Sequence, residues 1–198
     1  MEKDIVIKKL HEKYGKQSSF AIWADSQQKD KVTGDFIDFQ SAIDAEENLK
    51  VRFDRVILLI NPSNKQKNNP EENFSAFHHK GVTDRNMRYV LKNVRNYQEY
   101  YGAYLTDLYP DIQNSVSSKV VGGQENEISY FINFMNQLDI LADATSNKIK
   151  ILFTGVVGNT IHQRSVDNLI MYLKQHINEY EKLKKVQLEF EGTWQFGM

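Results

Sequence analysis

A short apolar run, Val56–Ile60, ends abruptly at Asn61-Pro62-Ser63, and this junction constrains the fold more than any other feature of the sequence. A five-residue apolar run that stops at turn-forming residues is typical of a buried strand entering a loop. In open α/β sheets, ligands bind outside the carboxyl ends of the strands. The pattern therefore predicts that Asn61 lies where binding or chemistry takes place.

Other apolar runs follow at intervals that leave room for helices. We predict further strands at 102–109, 148–157 and 185–190, a strand or extended segment at 20–24, and helices at 2–14, 41–49, 84–95, 125–142 and 164–183. Strands that alternate with helices predict βαβ units and a parallel sheet. We expect a three-layer α/β/α fold with a mainly parallel, four-stranded central sheet, in one domain over 1–198 that includes an N-terminal extension, 1–50.

Composition removes several classes of function. The chain has no cysteine, which excludes disulfides, zinc–thiolate sites and thiol catalysis. The histidines and carboxylates show no i, i+4 ligand pair, so we expect no metal and no cofactor. No apolar stretch approaches 18 residues and the N-terminus is charged, which predicts a cytoplasmic protein without a membrane span. We expect a monomer. A net charge of −1 still permits a local basic patch.

Asn61 carries an amide that both donates and accepts hydrogen bonds. Such a group holds a water for attack or reads the edge of a nucleobase. The alternative interpretation is a turn that ends the strand, where Asn and Pro are common for local reasons.

Two aromatic rings and a histidine follow the polar stretch 64–73, namely Phe74, Phe77 and His78. An aromatic face stacks a base, and His78 can supply a proton or a hydrogen bond near neutral pH. The alternative is that the rings anchor the loop by hydrophobic contact.

Thr106 and Asp107 end the second predicted strand, GAYLTDLY, at the same edge of the sheet. Asp107 could accept a hydrogen bond from a base or orient a water. The alternative is a capping or turn role within TDLYPD.

The predicted helix 84–95 buries Met87, Val90, Leu91 and Val94, with Thr83 or Asp84 as its cap. Its other face carries four cations, Arg85, Arg88, Lys92 and Arg95. These cations could contact phosphates, or they could form an ordinary solvated face.

The segment GVVGNT (155–160) follows the third strand and has two glycines, which could let a phosphate or base approach the backbone. Its spacing does not match the P-loop or the dinucleotide-binding glycine pattern.

In its order of motifs the chain resembles the uracil-DNA glycosylase superfamily, and more closely its uncharacterised bacterial glycosylase-like branch. The resemblance covers about residues 20–160 and is specific over 55–110. It implies that Asn61 positions the attacking water with Ser63 beside the base. It also implies that Phe74 or Phe77 stacks on the base and that Thr106 or Asp107 reads its edge. Such a protein would bind DNA or another nucleobase-containing ligand.

Two departures from the family pattern leave a second hypothesis open. Leu59 replaces the glycine expected two residues before Asn61, and the region of the second motif, EGTWQFGM, has no histidine. A DNA-wedging loop is either lost or built from Gly192, Thr193, Trp194 and Gln195.

Three functions follow from the sequence. The first is a hydrolase of DNA repair that removes damaged bases, and the second is a non-catalytic nucleic-acid- or nucleotide-binding protein on the same fold. The third is an interaction protein whose tyrosine-rich stretch packs against a partner through Tyr97, Tyr100, Tyr101 and Tyr104.

Overall fold

The structure is a computed structural model, and it describes residues 3–22, 51–60, 82–112, 127–145 and 147–193. Its helices are α1 (Lys3–Tyr14), α2 (Val82–Asn93), α3 (Glu127–Ala142) and α4 (Thr160–His176). Its strands are β1 (Ser18–Phe20), β2 (Arg52–Leu59), β3 (Ala103–Asp107), β4 (Lys148–Thr154) and β5 (Gln187–Thr193). The helix predicted at 41–49 lies outside these residues.

The five strands form one sheet in the order β1-β3-β2-β4-β5. β2 pairs in parallel with β3 and β4, and β4 pairs in parallel with β5. The α/β class and the mainly parallel sheet are confirmed, but the count of four strands is wrong. β1 adds an antiparallel edge strand through the pairs that join Ser18 to Thr106 and Phe20 to Tyr104.

The error in strand number has a physical cause. β1 is only three residues long and two of them are serine, so no apolar run marks it. The predicted extended segment 20–24 therefore began two residues too late. Pairing with β3, which no local pattern reveals, makes Ser18–Phe20 a strand.

Element ends were the least accurate part of the prediction. The helix predicted over 164–183 begins at Thr160 because the Asn159 side chain accepts hydrogen bonds from the backbone N–H groups of Ile161 and His162. It ends at His176 and gives way to 3₁₀ turns at Ile177–Glu179 and Leu183–Lys185.

The basic helix, α2, also begins and ends two residues earlier than predicted. α2 begins at Val82, so Thr83 and Asp84 lie within its first turn rather than at its cap. Met87 and Leu91 are buried as predicted, but Val94 follows the helix and is 38% exposed.

Both faces of the sheet are covered, which explains why the second half of β2, residues 56–59, is continuously apolar. Val56 and Leu58 belong to one apolar cluster, together with buried residues of α1, α3 and α4. Ile57 points the other way and belongs to a second cluster with Met87 and Leu91 of α2. We call these the first face and the second face.

Charged residues support the second face near the start of β2. Glu99 accepts hydrogen bonds from Arg55 Nη2 at 2.8 Å and from Lys150 Nζ at 3.3 Å. Arg55 also contacts Asp54 at 2.7 Å. Burial alone would raise the pKa of the Glu99 carboxyl, but hydrogen bonds and charges from Arg55 and Lys150 outweigh it and lower this pKa below its ordinary value. The network fixes the 3₁₀ turn Gln98–Tyr100 to β2 and β4.

We predict that Glu99→Gln lowers the free energy of unfolding at pH 7 by about 1.5 kcal/mol, the size of a hydrogen bond to a charged group. A carboxyl with a lowered native pKa contributes stability that is present at neutral pH and is lost as the pH falls below about 4. The difference between the two proteins in urea unfolding should therefore shrink on acidification.

Glu181→Gln is the matched control, because Glu181 pairs with Lys184 on the surface. It should leave the urea midpoint at pH 7 unchanged. A Glu99→Gln midpoint equal to that of this control would show that the network contributes nothing.

Candidate functional site

The strand order defines one crevice. The chain passes from β2 to β3 on one side and returns across β2 to β4 on the other. Such a reversal makes a switch point at the carboxyl ends of β2 and β4, where open α/β sheets bind ligands. α2 lies on the second face, and α4, which follows β4, lies on the first face.

The end of β2 is tied firmly to the end of β3. The Leu108 N–H donates to the Leu59 carbonyl at 2.8 Å, and the Tyr109 N–H donates to the Ile60 carbonyl at 2.9 Å. Asn61 directly follows Ile60 in the sequence. The residue before Asn61 is therefore fixed at this edge by backbone hydrogen bonds.

Five predicted site residues lie outside the residues that the structure describes. They are Asn61, Ser63, Phe74, Phe77 and His78. Their roles remain predictions from the sequence.

Thr106 and Asp107 are the last two residues of β3, opposite Leu58 and Leu59 of β2. They are 0% and 5% exposed. Both therefore lie at the predicted edge, within a strand rather than at a helix cap.

Thr106 and Asp107 do not share a face. Tyr104 belongs to the first cluster and Leu105 to the second, and successive side chains of a strand alternate. Thr106 therefore faces the side of α4, and Asp107 faces the side of α2. The prediction from the sequence did not distinguish Thr106 from Asp107. In the structure each of them can line only its own side of the crevice.

The Thr106 hydroxyl is fully buried, and its Oγ1 has no hydrogen-bond partner among the described residues. Other buried hydroxyls of the sheet are satisfied. The Tyr104 hydroxyl donates to Gln137 Oε1 at 2.9 Å, and Thr193 Oγ1 lies 2.6 Å from the Tyr97 hydroxyl. An unpaired buried hydroxyl destabilises a protein by about 1–3 kcal/mol. Thr106 Oγ1 is therefore suited to meet a ligand.

The glycines after β4 are explained by the turn itself. Gly155 and Gly158 have φ angles of 75° and 76°, which side chains rarely adopt. Asn159 then caps α4. The turn thus leads the chain directly into the first turn of α4, beside the crevice.

His162, in that first turn, was missed by sequence reasoning. It is 2% exposed, and its Nδ1 lies 2.8 Å from the carbonyl oxygen of Gly155. Nε2 is buried and has no partner among the described residues. A single histidine does not form the i, i+4 pair that marks a metal site. The available signal was its position three residues after a capping asparagine, on the apolar side shared with Val166 and Leu169.

Tyr109 connects the elements that surround the crevice on the first face of the sheet. The Tyr109 hydroxyl donates to Glu127 Oε1 at 2.9 Å and also bonds to Ser165 of α4. Its ring packs edge-on against Tyr130 at 5.1 Å. Burial raises the pKa of Tyr109 far above its ordinary value, so the hydroxyl stays a neutral donor. These contacts hold the first turn of α3 and the second turn of α4 against the end of β3.

The basic face of α2 does not gather around this edge. Lys92 Nζ lies 5.4 Å from the centre of the Tyr101 ring. Tyr101 lines a cavity of about 540 Å³ together with Arg52 and Asp54, at the opposite end of β2. An eight-residue strand is about 25 Å long, so Lys92 lies far from Asp107.

The remaining members of the predicted basic face differ in exposure. Arg88 is half-buried and Arg95 is exposed. The side chain of Arg85 is not among those that the structure describes. The prediction of four phosphate contacts beside one pocket therefore does not fit the placement of Lys92.

The end of β5 differs from the sequence prediction. Gly192 and Thr193 belong to the strand, so they do not form a DNA-wedging loop; Trp194 and Gln195 lie outside the described residues. A Cβ atom at Gly192 would lie 2.9 Å from Val156 Cγ2, which explains the glycine by close packing.

The tyrosine-rich stretch packs largely within the protein. Tyr100 and Tyr104 are fully buried, and the Tyr100 hydroxyl donates to Glu191. These two side chains are therefore unavailable to a partner, against the third hypothesis.

No protein-family model matches the chain, and neither a curated protein nor a solved structure matches it. In the described part of the chain, no helix is long and apolar enough to cross a membrane. The same residues contain no group of three or more acidic or histidine side chains that could hold a metal ion.

We predict opposite effects for one substitution at two threonines. Thr106→Val should raise the free energy of unfolding by about 1 kcal/mol, because it removes an unpaired buried hydroxyl. Thr193→Val should lower it by about 1 kcal/mol, because it breaks the bond to Tyr97. Urea unfolding without ligand checks both values, and a loss of stability in Thr106→Val would show that its hydroxyl has a partner.

Proposed function

We propose that this protein is a uracil-DNA glycosylase-like protein with a three-layer α/β/α fold, which binds a nucleobase of damaged DNA and hydrolyses its N-glycosidic bond. The backbone bonds from Leu108 and Tyr109 to the end of β2 are the observation that carries the proposal. They hold the residue before Asn61 beside the strand end that bears Thr106 and Asp107. The motif order around Asn61 and the switch-point crevice support the same function.

In this reaction Asn61 holds a water whose oxygen attacks the sugar carbon C1′. The C1′–N bond breaks, the electron pair leaves with the base, and a proton from the water ends on the base or solvent. Negative charge develops on the base, so electrostatic contacts around it supply most of the rate. Phe74 or Phe77 stacks on the extruded base, Thr106 or Asp107 reads its edge, and Ser63 lies beside it. His78 donates to the leaving base.

The test is incubation of excess protein with duplexes that contain uracil, hypoxanthine or a thymine mismatch. We expect abasic product from at least one of them. Asn61→Ala should slow its formation by about 100-fold, the lower range for loss of a group that positions a proton-transferring water. Asn96→Ala, at an exposed turn residue, is the matched control. Absence of abasic product from all three duplexes would overturn the hydrolytic function.

A second function is favoured by the end of β5. The resemblance implies a histidine after this strand, yet residues 191–198 contain none. The Thr193 hydroxyl is already bonded to Tyr97. A non-catalytic nucleic-acid- or nucleotide-binding protein would keep the crevice without the second motif.

This second function predicts binding of a uracil-containing oligonucleotide without abasic product. Affinity should fall steeply with salt, because phosphate contacts release counterions. Arg88→Gln should reduce the slope of log affinity against log salt by about 1, whereas the surface variant Lys184→Gln should leave it unchanged. A flat salt response would reject phosphate-mediated binding.

A further inference from the structure

His162 is a buried titratable residue to which the proposed reaction gives no role. It lies in the first turn of α4, which directly follows the turn at the carboxyl end of β4. This is one side of the switch-point crevice. Its ring is held by Gly155 through Nδ1, whereas Nε2 is buried without a partner among the described residues.

The contact to Gly155 fixes the hydrogen-bonding character of the ring. A carbonyl oxygen only accepts hydrogen bonds, so Nδ1 must carry the hydrogen. In the neutral ring Nε2 then has no hydrogen and presents a lone pair. With a neutral ring, the structure therefore places a hydrogen-bond acceptor at this position.

A role in closing the loop explains only half of this arrangement. The bond from Nδ1 to Gly155 joins the two ends of the turn between β4 and α4, but it requires nothing of Nε2. Burying a polar atom without a hydrogen bond is unfavourable unless a ligand or a water satisfies it. Thr106 Oγ1, the other such atom on this face, lies at the end of β3.

We propose that His162 Nε2 accepts a hydrogen bond from a ring N–H of the bound base and thereby selects bases in which that N–H adjoins a carbonyl. The inference rests on the proposed function, because it assumes that a nucleobase enters this crevice. Uracil and hypoxanthine have such an N–H group. Cytosine and adenine have a bare ring nitrogen there, whose lone pair would face that of Nε2. The Thr106 hydroxyl, on the same face, is free to donate to the adjoining carbonyl.

Two substitutions separate the two ring nitrogens. In His162→Asn the amide reaches about as far as Nδ1, so the bond to Gly155 is kept and the acceptor at Nε2 is lost. In His162→Gln the amide reaches about as far as Nε2, so the acceptor is kept. His176→Asn is the control, because His176 is half-exposed and contacts Glu179.

The experiment measures binding of deoxyuridine, deoxyinosine, deoxycytidine and deoxyadenosine by calorimetry. We expect wild-type protein to bind the first two at least tenfold more tightly than the others. His162→Asn should weaken their binding about tenfold, the effect of one hydrogen bond, with little change in unfolding. His162→Gln should retain more affinity than His162→Asn, and His176→Asn should bind as wild type does.

A titration of wild-type protein that contains ¹⁵N-labelled histidine needs no variant. The Nε2 resonance of His162 should have the position of an unprotonated nitrogen and should shift when deoxyuridine is added. An unchanged resonance under saturating nucleoside would show that Nε2 contacts only a buried water or apolar groups, and it would overturn the inference.

The outcomes separate this inference from the function on which it rests. If wild type binds a nucleoside and His162→Asn binds it equally well, the inference fails and nucleobase binding stands. Preference for deoxycytidine or deoxyadenosine would overturn the proposed selectivity alone. If wild type binds none of the four nucleosides and none of the damaged duplexes, both proposals fail.

Discussion

The pairing of β2 between β3 and β4 determines how the other elements pack. Because β2 lies inside the sheet and both of its faces are covered, Val56, Ile57 and Leu58 are almost completely buried. Burial of apolar surface on two sides stabilises the strand far more than any single polar contact does. It also fixes the register, since a shift of one residue would move each side chain to the opposite face.

The same arrangement concentrates polar groups at the ends of the strands. Near the start of β2, Arg55, Glu99 and Lys150 form a charge network that is fully paired within the protein. At the carboxyl end, Thr106 Oγ1 and His162 Nε2 are buried without partners among the described residues. Polar groups near the start of β2 are hydrogen-bonded within the protein, whereas these two buried atoms at the carboxyl ends of the strands have no partner in the described part of the chain. The carboxyl ends are therefore the part of the sheet that is suited to a ligand.

A cavity of about 540 Å³ lies at the start of β2, not beside Thr106 and His162. Its polar lining includes Arg52, which already contacts Asp54 and the Glu99 carbonyl. Volume alone is therefore a weaker guide to function here than the hydrogen-bonding state of the buried polar atoms. Those atoms, together with the switch point, favour the carboxyl edge.

The α/β class, the parallel core of the sheet, and the position of Thr106 and Asp107 at the end of a strand could be predicted from apolar runs and turn residues alone. These patterns are local in the chain. Sheet pairing made Ser18–Phe20 a strand and extended β5 to Thr193. Only the tertiary structure shows that Nε2 of His162 is buried without a partner among the described residues and that Lys92 lies near the start of β2. Contacts between residues distant in the chain decide such features, because hydrogen-bond partners and burial depend on neighbours that no local pattern specifies.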